Sequence, residues 1–130
     1  MVVYEEPNKV AIEYDPVAKI YSLHWKSLNG PHYRKALDFL LAHLKKHGLK
    51  SLISDSSAAK DVQSQEDLAF VQSAVGQLAQ YGARCYVAVV PASAIAKMGM
   101  KKVVAAMETT QLVRHTAPTY DDALKIARAA

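Results

Sequence analysis

The chain is predicted to be a single α/β domain on a mixed β-sheet, with the element order β-β-α-β-α-β-α-β-α, and three observations predict it. Its 130 residues are 51% hydrophobic, enough to bury one substantial core without metal or disulfide staples. The hydrophobic period starts at two and then switches between helical spacing and short apolar runs. Two Ser/Thr-x-x-Asp boxes, Ser64 with Asp67 and Thr119 with Asp122, mark helix starts. No repeat or Gly/Ser/Pro-rich linker interrupts residues 1–130, so one domain is expected.

The elements follow in order. Val10, Ile12 and Tyr14 alternate with polar neighbours, Asp15-Pro16 signals a turn, and Tyr21, Leu23 and Trp25 alternate again, which reads as a hairpin. Asn29-Gly30-Pro31 breaks the strand and places proline at a helix start. Tyr33, Leu37, Leu40, Leu41 and Leu44 then recur at helical spacing, with Lys45, Lys46 and His47 at the negative end of the dipole and Gly48 as cap. Leu49 to Ser54 is a strand. Leu68, Val71, Val75 and Leu78 form the stripe of a helix ended by Gly82.

Arg84 to Val90 is a nearly continuous apolar run, expected to be a central strand covered on both faces. Beyond Pro91 come a helix through Met107, a strand from Gln111 to Thr116 and a last helix through Leu124 and Ile126. Helical crossovers imply parallel strands, and the hairpin adds an antiparallel edge. Helices cover this sheet in two or three layers.

Composition excludes several classes. Cys85 has no partner for a disulfide, and no metal-ligand spacing surrounds it, so a reducing compartment and a cytoplasmic location are expected. Burial in a strand predicts an inert thiol. No signal peptide or membrane-spanning run is expected. A formal charge of +4 favours anionic partners, but no nucleic-acid motif or aromatic interleaving accompanies it, and nucleic acid is not an expected partner. No nucleotide or dinucleotide fingerprint occurs, and no cofactor is expected. His43 and His47 stand four apart but lack a third ligand, so no metal is expected either.

The most site-like stretch is Leu52-Ile53-Ser54-Asp55-Ser56-Ser57, an apolar strand delivering small polar side chains to its carboxyl end. Together with the leading hairpin and the alternation that follows, it resembles the STAS superfamily of sulfate-transporter and anti-sigma-factor-antagonist domains. Leu23-His24-Trp25, Ser64-Gln65-Glu66-Asp67 and Val87-Ala88-Val89-Val90-Pro91 resemble more narrowly the SpoIIAA-like bacterial proteins, related to STAS and to SEC14-type lipid-binding folds. The resemblance implies a phosphoacceptor or partner-contact loop at Asp55, Ser56 and Ser57. Ser57-Ala58-Ala59 stands where the STAS loop continues with glycine. As turn formers, the same three residues satisfy loop amides.

Asp55 is also a candidate acid or base with Glu66 or Asp67, although those two already suit a helix N-terminus. His24 is expected to face away from Leu23 and Trp25, with Ile20 and Ser22, as a partly buried, hydrogen-bonded histidine. The third helix carries Ile95, Met98, Met100 and Met107, a candidate surface for an apolar ligand or a second subunit. The function expected is a non-enzymatic regulatory or protein-interaction module of STAS/SpoIIAA-like type, with a protein partner or homodimer. The alternative is a SEC14-like carrier or sensor of a small apolar or amphipathic ligand.

Overall fold

Alternating and apolar runs make strands, and the caps between them decide where helices begin. The computed structural model describes residues 1–108 and 110–130. Its elements are β1 (Val2–Glu6), β2 (Val10–Asp15), β3 (Ile20–Trp25), α1 (Pro31–His47), β4 (Ser51–Asp55), α2 (Gln65–Val75), a 3-10 turn (Leu78–Tyr81), β5 (Cys85–Val89), α3 (Ala94–Ala105), β6 (Val113–Ala117) and α4 (Tyr120–Ala129). The strands form one mixed sheet in the order β1-β2-β3-β4-β5-β6. The pairs β1–β2 and β2–β3 are antiparallel, and β3 through β6 run parallel. An α/β fold with a mixed sheet is therefore present.

Several boundaries differ from the sequence reading. An additional strand, β1, precedes the hairpin and pairs with β2 at the sheet edge. Val3 and Tyr4 pack partly buried against the core, but as neighbours followed by two glutamates they show no period of two from which to recognise a strand. The helix α2 stops at Val75, and Gly82 ends the 3-10 turn instead, at φ 101°. A Cβ at Gly82 would lie 2.9 Å from the Leu49 carbonyl oxygen, so glycine allows this close approach. Every residue of β5 is buried, as its apolar run predicts, but the strand lies one in from the edge, between β4 and β6. The crossovers add strands on one side only, which leaves β3 and β4 in the middle.

Three successive right-handed crossovers in one direction set α1, α2 and α3 on the same face. There Tyr33, Leu37, Leu40, Leu68, Val71 and Val103 share a core with Ile12, Leu23, Trp25, Leu52 and Tyr86. The last helix is not a crossover and covers the other face, packing Ala123 and Ala127 on Ile20, Ile53, Cys85, Val87 and Val89. The architecture has three layers. Alanines let α4 approach so closely that Ser51 Oγ donates to the Ala127 carbonyl at 3.1 Å, whereas α1 to α3 stand off on long side chains.

The capping boxes act as the sequence predicts. Ser64 accepts from the Asp67 amide and Thr119 from the Asp122 amide, while Pro31 opens α1 and Gly48 caps it.

Candidate ligand cavity and the His24 cluster

Beneath α1, α2 and α3 lies a cavity of about 50 Å³. Its floor is Leu23, Trp25, Leu52 and Tyr86 from the sheet. Leu37, Leu40 and Leu41 of α1 form one wall, Val71, Ala74 and Val75 of α2 another, and Ala96, Met100 and Val103 of α3 the third. Into this apolar space converge Tyr33, Ser54, Ser56, Gln63 and Tyr86, the mix of apolar lining and few polar groups found in small-molecule sites, at a much smaller volume.

Each polar group has a structural cause. Gln63 immediately precedes the Ser64 cap, where an apolar residue usually staples the helix start, and its Nε2 donates to the Tyr33 hydroxyl at 3.2 Å. Its Oε1 is buried without a hydrogen-bond partner and lies against Gly99 of α3, where any Cβ would overlap it. Tyr33 stacks on Trp25 with ring centroids 4.6 Å apart. Burial pushes the Tyr33 phenol well above its ordinary pKa and that of Tyr86 to about 12. Both stay neutral at physiological pH, and no charged side chain lines the cavity.

The rim is held by Asp61, which the sequence reading did not single out. Its carboxylate accepts from the Leu28 amide at 2.8 Å, the Asn29 amide at 3.2 Å and Ser27 Oγ at 3.0 Å, tying the loop before α1 to the loop before α2. Burial pushes this carboxyl upward, but the amides of Leu28 and Asn29 and the Ser27 hydroxyl hold it below its ordinary pKa.

A second polar cluster lies on the opposite face of the sheet. His24, opposite Asp55 in the β3–β4 ladder, makes an Nδ1 to Oδ2 contact of 3.1 Å. Its Nε2 lies 3.1 Å from Glu13 Oε1, at ion-pair distance but outside hydrogen-bond alignment. Tyr120 packs edge-on to the imidazole at 4.6 Å, and its hydroxyl is 2.8 Å from Ser22 Oγ. The Asp55 hydrogen bond raises the His24 pKa against the opposing effect of burial. Burial raises the Asp55 pKa, but His24 and Ser57 outweigh it and leave the carboxylate below its ordinary value. With carboxylates on both sides, the site favours the protonated form of His24, whose Nε2 is buried.

The structure separates the residues that sequence grouped together. Asp55 is half-buried and accepts from Ser57 N at 3.1 Å and Ser57 Oγ at 2.7 Å, so the loop is an Asx turn with Ser57 exposed. Ser56 is only 6% exposed and lines the cavity. Asp55 pairs with neither candidate carboxylate, Glu66 or Asp67; the polar side chains it meets are His24 and Ser57. On α3, Ile95 and Met98 are exposed, Met100 lines the cavity, and Met107 is fully buried beyond the helix end. These four therefore do not share a surface. His24 lies as predicted, hydrogen-bonded on the face of Ile20 and Ser22. Burial raises the Cys85 thiol pKa, consistent with the inert thiol expected.

No protein-family model, curated protein or solved structure matches the chain. Its chemistry therefore rests on its own residues. Among the described residues, no helix is long and apolar enough to cross a membrane, and no group of three His, Cys, Asp or Glu side chains could hold a metal ion.

Proposed function

We propose that this chain is a STAS/SpoIIAA-like binding module that senses or carries a small amphipathic molecule in the cavity beneath α1 to α3. The observation that carries this reading is the convergence of Tyr33, Ser56 and Gln63 on an otherwise apolar space. The leading hairpin and the hydroxyl-bearing loop after β4 support the family assignment. That loop contributes Ser56 to the cavity instead of presenting it to solvent.

A regulatory role fits the same geometry. The inner side of α3 roofs the cavity through Ala96, Met100 and Val103, while Ile95 and Met98 are 53% and 60% exposed on the same helix. A guest that lifts Met100 moves the surface a protein partner or second copy would read. Native mass spectrometry after gentle purification tests the function. A bound small molecule that is lost when Ala74→Leu fills the cavity is the expected result. Each protein appearing only at its own ligand-free mass, with no uptake of added amphiphiles, would overturn it.

A further inference from the structure

The cavity's own chemistry narrows the guest. We infer that it selects a neutral, hydroxyl- or amide-bearing molecule and rejects the carboxylate of the same shape; this rests on the ligand-binding reading above. Gln63 is 8% exposed, with its Oε1 turned against Gly99 and away from the guest. Its Nε2 is already donated to Tyr33, which leaves the phenolic proton of Tyr33 free to donate. Ser56 Oγ can do either. A head group that both donates and accepts satisfies the Tyr33 and Ser56 hydroxyls together. A purely apolar guest satisfies neither.

Charge decides the second half. No lysine, arginine or histidine lines the cavity, and a carboxylate buried without a cation or enough donors pays a large desolvation penalty. With about 50 Å³ free, the space takes little more than one or two waters at about 30 Å³ each. A guest built on one six-membered ring enters only if Met100 and Leu41, the partly exposed residues of the rim, swing outward. Methionine does so readily.

Two pairs of similar shape test the selection. Phenol against toluene varies the donor, and benzamide against benzoate varies the charge, each titrated at pH 7 with the Trp25 indole N–H resonance as the reporter. Phenol should bind at least fivefold tighter than toluene, and benzamide at least tenfold tighter than benzoate. In Tyr33→Phe, which removes the cavity's phenolic donor, the phenol preference should shrink toward equality while toluene binding persists. Benzoate equal to benzamide, or toluene equal to phenol in the unaltered protein, would overturn the selection but leave a ligand cavity standing. Absence of binding by all four would overturn the ligand-binding reading and this inference with it. The wild-type comparisons decide the matter even where Tyr33→Phe fails to fold.

Discussion

His24 and Asp55 stand side by side on adjacent parallel strands, 3.1 Å apart from Nδ1 to Oδ2, on the face of the sheet away from the cavity. The groups facing the imidazole are Asp55, Glu13 and Tyr120, so a protonated ring is held between two carboxylates. The folded pKa of His24 is raised above 6.5, so its contribution to stability is whole below about pH 6.5 and disappears as pH rises through the folded value. For Asp55, depressed below 3.8, the contribution is present above about pH 4 and is lost as pH falls through the folded value. At pH 6, His24→Gln should lose about 1–2 kcal/mol. Urea unfolding of both proteins from pH 5 to 9 checks this; the gap should narrow toward high pH, and a constant gap would contradict the ion-pair account.

Asp61 should matter more than its partly exposed position implies. Asp61→Ala strips the acceptor from two backbone amides and a hydroxyl and should destabilise by about 2–3 kcal/mol. Chemical denaturation measures the loss. Because the folded carboxyl pKa is depressed, the wild-type advantage should fade as pH drops through that value.

Gly99 is required by Gln63. A methyl group at Gly99 would overlap Gln63 Oε1 and come within 2.9 Å of Val62 Cγ2, so Gly99→Ala should cost about 1–3 kcal/mol. Shortening Gln63 to Ala in the same protein should recover part of that loss. A double-mutant cycle is therefore expected to show coupling above about 0.5 kcal/mol; additivity would show that the two residues do not press on each other.

The adjacent serines should respond differently to charge. Ser56→Asp places a carboxylate in the cavity wall and should cost about 2–4 kcal/mol. Ser57→Asp, at an exposed position, should change stability by less than about 1 kcal/mol. Thermal melts of both variants decide it, and equal melting temperatures would place Ser56 at the surface.

Local patterning made much of the fold legible. Alternation gave β2 and β3, and the Ser64 and Thr119 boxes marked the starts of α2 and α4. The edge strand β1 carries no legible alternation, because its apolar Val2, Val3 and Tyr4 are consecutive, the first exposed and the other two only partly buried. His24 was assigned to the correct face, but its partner lies 31 residues away, and register between parallel strands is written in no local period. On α3, five residues at about 100° each turn Met100 roughly 140° away from Ile95, so a list of apolar residues could not define one surface. The cavity arises from unequal stand-off, alanines under α4 against leucines and tyrosines under the other helices. Gln63, a polar residue at the staple position, was the one local clue to it.

Isotope-filtered nuclear Overhauser spectroscopy on the labelled protein with unlabelled phenol tests the central claim most directly. The account predicts contacts from the phenol ring to methyl groups of Leu23, Leu40 and Val103, all of which line the cavity. Contacts confined to the exposed side chains of Val17, Ile95 and Met98, or none at saturating phenol, would contradict it.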